Sequence, residues 1–177
     1  MRIKACSVTL LLVFWTFAAQ DTRGQEKGQQ GVQPSTQEMK GMDMDAMNKR
    51  GDRVMGFDHT KTTHHFRLTN DGGVIQVEAN DGNDSASRDE IRMHLSHIAV
   101  MFAEGNFKAP MLIHEQTPPG VPVMKSEKAK IEYRFEETEG GGRVIIKTSD
   151  PKAIKAVHDF LRFQIDEHQT GDPVEVT

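Results

Sequence analysis

His64–Ala79, HHFRLTNDGGVIQVEA, decides the fold. Over His64–Thr69 the residues alternate: His64, Phe66 and Leu68 share one face, while His65, Arg67 and Thr69 share the other. A period of two marks a strand with one covered face. Asn70–Gly73 (NDGG) is a hairpin turn signal, because Asn, Asp and Gly accept the positive φ that tight turns demand. Val74–Ala79 returns as the second strand, with Ile75, Val77 and Ala79 on one face. A helix follows, its apolar stripe formed by Ile91, Leu95, Ile98 and Phe102.

The same arrangement recurs downstream. Ile131–Phe135 (IEYRF), the Gly-rich turn Gly140–Gly142 and Arg143–Thr148 (RVIIKT) read as a second hairpin. Ile154, Val157, Leu161 and Ile165 form the stripe of a second helix. Residues 64–104 and 131–168 therefore read as one supersecondary unit used twice. Each second strand runs into Asp, at Asp81 and Asp150. Ser87 or Asp89 is expected to cap the first helix, and Asp150 the second with Pro151 as its first helical residue. Gly105 and Gly171 suit the two helix ends. Arg67, Gln76, Glu78, Glu132, Arg134, Arg143 and Lys147 fall on the outer strand faces, so one side of the sheet is expected to be wet. The expected fold class is α+β: a two-layer sandwich with a four-stranded antiparallel sheet, two helices on one face, and a ββα-ββα pseudo-duplication.

Between the halves lies Asn106–Lys130, with four prolines. A connection of this length inside a compact domain is either functional or a covering loop. Phe160 and Phe163 sit off the second helix's stripe and Val100 off the first. They predict either cover on two sides or a homodimer related by the pseudo-twofold.

The N-terminus reads as an export signal. Arg2 and Lys4 precede an apolar run, CSVTLLLVFWTF, then small Ala18 and Ala19, then a polar stretch. The expected division is 1–19 signal peptide, 20–54 disordered Gln/Gly/Met-rich tether and 55–177 folded domain, in a periplasmic or secreted protein. No segment after the signal is apolar enough to span a membrane. Cys6 and Trp15, each the only one of its kind, lie inside the signal. A thiol nucleophile, a disulfide and thiolate ligation are thus excluded from the processed chain. Losing Arg2 and Lys4 takes the formal net charge from −4 to −6, which argues against nucleic acid as a partner.

Histidine carries the chemistry. On a helical wheel His94 lies about 60° from Ile91, and His97 is its i+3 neighbour. His158 flanks the second stripe and His168 lies within it. His64 belongs to the strand face turned toward the helices. His114 is in the long link, and His59 and His65 face water. Neutral imidazole is the commonest metal ligand, and His at i, i+3 can hold one ion from one helix face. Met39, Met42, Met44 and Met47 cluster in the tether around Asp43 and Asp45, and Met101 lies beside His94. Thioether with imidazole and no thiolate suits copper, with zinc as the alternative.

The runs MGFDHTKTTHHF (Met55–Phe66), HLSHIA (His94–Ala99), PPGVPVM (Pro118–Met124) and FLRFQIDEHQTGD (Phe160–Asp172) carry a resemblance. The chain resembles, over about Met55–Asp172, a group of small exported bacterial proteins of uncertain function. Similar chains sometimes carry the label aspartate carbamoyltransferase. The Ser-Thr-Arg-Thr and His-Pro-x-Gln motifs of those longer transferases are absent from this sequence. The resemblance implies export and supplies no catalytic residues.

Three functions are compatible with these features. The first is copper sequestration or delivery through His94, His97, His158 and His168, with His64, His114 and Met101 as further ligands. The second is a small enzyme using the same histidines around a hydrolytic metal or as general acid and base. Glu104, Asp159 or Glu167 would then orient them. The third is a structural or interaction domain with core histidines.

Overall fold

The computed structural model describes residues 36–177, with side chains from residue 44 onward. The expected signal peptide and the first part of the tether lie outside the described residues. Strand β1 (Thr62–Thr69) and strand β2 (Gly72–Ala79) form the predicted hairpin, with Phe66 opposite Ile75 and Thr69 opposite Gly72. Gly72 has φ +144°, and a Cβ there would lie 2.1 Å from the Ile146 carbonyl oxygen, so this turn admits glycine alone. Strand β3 (Glu132–Glu137) and strand β4 (Gly141–Lys147) form the second hairpin. The antiparallel order is β1-β2-β4-β3, so the second strand of each half meets at the centre. The fold is α+β, as the periodicities predict.

Four further helices complete the domain around helix α1 (Thr36–Met55): α2 (Ser85–Ala103), α3 (Lys108–His114), α4 (Val121–Ser126) and α5 (Pro151–His168). The helices of the two ββα units are exchanged. Helix α2 of the first half packs mainly on β3 and β4 of the second, and α5 of the second packs on β1 and β2 of the first. Leu68, Val77, Val144 and Ile146 on the sheet meet Ile91, Leu95, Val157 and Leu161 on the helices in one core cluster. All eight are at most 2 % exposed. Burying each such side chain contributes roughly 1.5–3 kcal/mol against the chain entropy. The opposite sheet face carries polar residues, among them Arg67, Gln76 and Arg143.

The capping differs in detail. Asp84, not Ser87 or Asp89, caps α2: its carboxylate accepts from the Ser87 amide and hydroxyl. Asp150 caps α5 as expected, accepting from the Lys152 and Ala153 amides. Gly105 (φ +79°) follows α2, but α5 ends at Gln169 (φ 52°), two residues before Gly171.

Three expectations change. Residues 36–55 form a helix where a disordered tether was expected. Met47 anchors it in the core, and Arg50 donates through Nε to the Ile113 carbonyl oxygen at 2.8 Å. The proline-rich link folds into α3 and α4, so prolines mark helix starts there as much as loop. Phe160 is covered by Phe107 and Phe102, with ring centroids 6.2 and 5.9 Å away, and Phe163 lies against His114. The link therefore supplies the second cover that a partner subunit was invoked to give; Val100 stays exposed. Among the described residues no helix is long and apolar enough to cross a membrane.

At the β1 edge, Asp172 accepts from the Phe66 amide at 2.9 Å, and Val176 bridges to Leu68.

Candidate functional site

Four elements end or bend at one corner of the core and deliver imidazoles to it. Strand alternation turns His64 of β1 inward. His94 comes from the middle of α2, His168 is the last residue of α5, and His114 is the last residue of α3. With Phe57 they form a chain of rings. His94 meets Phe57 edge-on at 5.5 Å, Phe57 meets His64 at 6.0 Å, and His64 stacks on His168 at 5.5 Å with planes 13° apart. His168 then meets His114 at 5.1 Å, nearly perpendicular.

Two cavities adjoin this chain. The smaller one, about 60 Å³, is walled by Phe66, Ile75, Leu95, Ile98 and Phe102, and by His64, His94, His168 and Gln164. The larger one, about 320 Å³, is more polar and lies under α1, where Met44 and Met47 line it. Met55, His64, Ile113 and His168 line both, so they form the neck between the two.

The local chemistry holds these rings neutral. Burial lowers His64 to about 4, helped by repulsion from His94, His65 and His59. Burial likewise lowers His94 to about 4, with His97 adding to it, and His168 to about 3, with His64 and His114 adding. No hydrogen bond within the described residues engages these three rings. Each keeps an in-plane lone pair and an N–H without a partner among the described residues.

His114 is different. Its side chain is fully buried; Nε2 is 3.2 Å from Gln164 Oε1, and Nδ1 is 3.5 Å from Glu167 Oε2. Burial lowers its pKa against the opposing pull of Gln164 and Glu167. The 3.5 Å contact is a charge contact too long for a hydrogen bond. Gln164 is buried too, and its Nε2 has no partner.

The remaining candidates separate from the chain. His97 is exposed on α2. His158 is buried, and its Nε2 is 2.9 Å from the Thr69 carbonyl oxygen, an ordinary core contact. Met101 packs against the core cluster. Of the acidic residues considered as orienting groups, Glu167 faces His114, whereas Asp159 pairs with Lys155 and Glu104 is exposed. The wheel could not show that Met55, Phe57 and Gln164 belong to the corner. Gln164 had a signal: it continues the α5 stripe at Val157, Leu161 and His168, where a polar residue needs a reason.

Parallel stacked rings point their in-plane lone pairs along parallel lines, so His64 and His168 share an ion only if one ring turns. Among the described residues, one set of three imidazole or carboxylate ligand atoms lies within 4.8 Å of one another: Asp52, Asp58 and His59. Its atoms already have local work. Asp52 Oδ1 accepts from the His59 amide and lies 2.8 Å from His59 Nδ1, and Asp58 Oδ1 accepts from the Thr60 amide and hydroxyl. This set ties the end of α1 to the 3-10 turn His59–Lys61. No protein-family model, no curated protein and no solved structure matches this chain.

Proposed function

We propose that this is an exported binding protein for a soft metal ion, copper in its Cu(I) state, serving sequestration or delivery. The ligands are His64, His168 and Met55 at the neck, with His94 beside them, once the His64 or His168 ring turns out of its stack. One observation carries this reading: three neutral imidazoles without hydrogen-bond partners line one cavity with a methionine thioether. A lone pair held off protonation is the form a cation requires. Imidazole with thioether and no thiolate selects Cu(I) over hard cations. The larger cavity, lined by Met44 and Met47, gives the ion a soft-ligand approach.

The ligand set is narrower than the sequence suggests. His97 and His158 are left out, the first by exposure and the second by its bond to Thr69. Competition with a chromophoric Cu(I) chelator tests the reading. One equivalent is expected to bind, to be lost in His64→Ala/His168→Ala and to be kept in His97→Ala. No Cu(I) uptake, or equal uptake by the double variant, returns the corner to a set of core histidines.

A further inference from the structure

We propose that the open edge of the sheet and the face of α2 beside it form a homodimer interface, in which β3 pairs antiparallel with β3 of a second copy about a twofold axis at Phe135. The two sheets then run on as one. This is independent of the Cu(I) reading.

The two edges of the sheet differ. At β1 the C-terminal tail takes outward backbone groups: Asp172 accepts from the Phe66 amide, and the Thr177 amide and hydroxyl donate to the Leu68 carbonyl oxygen. At the other edge β3 pairs with β4 alone among the described residues. Thr138 donates its amide to the Gly141 carbonyl oxygen, so the even-numbered residues of β3 turn their backbone groups to β4. Tyr133, Phe135 and Glu137 turn theirs outward, a row of donors and acceptors that a further strand would satisfy.

The neighbouring helix face is open too. Met93 and Val100 on α2 are 60 % and 59 % exposed, and their spacing of two helical turns puts them on one side. Val100 lines a groove with Ser96, Ala99, Tyr133 and Phe135, so this side of α2 and the edge of β3 are one continuous surface.

The charges identify the occupant as a second copy. Charged side chains on an edge strand ordinarily keep other strands away. Here Arg134 and Glu136 share the wet face and stand symmetrically about Phe135. A twofold at Phe135 sets each Arg134 opposite Glu136 of the second copy, in the non-hydrogen-bonded pairs where side chains approach most closely. That register pairs the strands over Tyr133–Glu137. A twofold at Arg134 would oppose Arg134 to itself and Glu132 to Glu136. One at Tyr133 would pair Arg134 with Glu132, but it overlaps the strand only over Glu132–Arg134. Arg134 already pairs with Glu136 of its own strand, so dimerisation exchanges one carboxylate for its twin. On the helix side Phe135 meets Phe135 of the second copy at the axis, beside the groove that Val100 lines.

Sedimentation equilibrium of the full chain, without metal, tests this. A dimer that dissociates on dilution is expected. Val100→Asp, at an exposed position, and Arg134→Glu are each expected to raise the dissociation constant by about tenfold or more, the first by burying a charge and the second by opposing like charges. Glu136→Arg should weaken self-association in the same way. Mixing the Arg134→Glu and Glu136→Arg chains is expected to restore the dimer, because both cross-strand pairs become complementary again; misfolded variants cannot give that result. A chain that is monomeric at every concentration overturns the inference. So does a dimer that Val100→Asp and Arg134→Glu leave unchanged, or a mixture that fails to associate.

Discussion

His64 looks into an apolar cavity with no group to hold its ring nitrogens, while His65, one residue on, points out of the sheet with Nδ1 3.0 Å from Asp172. The pleat alone separates them. A second contrast has the same form: His158 of α5 bonds the Thr69 carbonyl, and His168, ten residues later on the same helix, bonds no described residue. Partnered histidines in this molecule are structural parts. The unpartnered ones gather at the corner, apart from exposed His97. What distinguishes a candidate ligand here is therefore the absence of a local partner, and burial by itself does not.

The largest effect expected from this contrast is on Cu(I) affinity. Removing His64 and His168 together should weaken it by more than the roughly 10–100-fold that loss of an outer-shell partner costs, whereas His65→Ala should leave it unchanged. Equal losses in the two variants would erase the distinction. Next comes acid stability. His64, His94 and His168 stay neutral in the folded state to about 4, 4 and 3, while the unfolded chain takes up their protons near 6.5. The unfolded state thus binds more protons between those values, so stability is complete above pH about 6.5 and falls as pH drops toward 4. Each histidine contributes about 1 kcal/mol per pH unit in that window. Urea unfolding across the window should show the slope, and His64→Phe/His94→Phe/His168→Phe should flatten it.

A smaller change sharpens the other side of the comparison. Asp172→Ala removes the acceptor for the Phe66 amide and the partner of His65, at an expected cost of about 1–3 kcal/mol in thermal or urea unfolding. The smallest expected effect distinguishes the neighbours most directly. At pH 8, His64→Phe should be close to neutral or slightly stabilising, since it replaces an unpartnered imidazole in an apolar wall by a ring of similar shape. His65→Phe should cost about 0.5–1.5 kcal/mol, the net worth of one hydrogen bond. A His64→Phe cost above that of His65→Phe would show that His64 has a structural partner.

Much of this arrangement was legible in the sequence because it follows short periods. Alternation in HHFRLT was enough to turn His64 in and His65 out, and the 3.6-residue stripes placed His94 and His168 toward the core. The α+β layering follows from the same patterns. What escaped depends on contacts distant in sequence. Residues 36–55 lack a branched apolar stripe, and their helix is held through Met47 and the Arg50 bond to Ile113, contacts that a local pattern does not contain. Phe160 looked in need of a second subunit because its cover, Phe107, comes from the proline-rich link. His158 looked like a ligand because its partner, Thr69, is a backbone carbonyl 89 residues away. Gln164 stood in plain view on the α5 stripe, but its partner, His114, comes from the proline-rich link.

The exchange of long helices between the two halves has a consequence for how the corner comes into being. Each ββα unit covers chiefly the other's hairpin: α2 lies mainly on the strands of the second half, touching its own through β2, and α5 lies on those of the first. Each half is thus the template on which the other closes. The corner is divided in the same way, with His64 and His94 from one half and Gln164 and His168 from the other. A chain severed within the link between them would hold two fragments, each with an apolar helix and little of its own to set it on. Only complementation, fragment on fragment, would restore the cavity, so the site belongs to the pairing and to neither repeat.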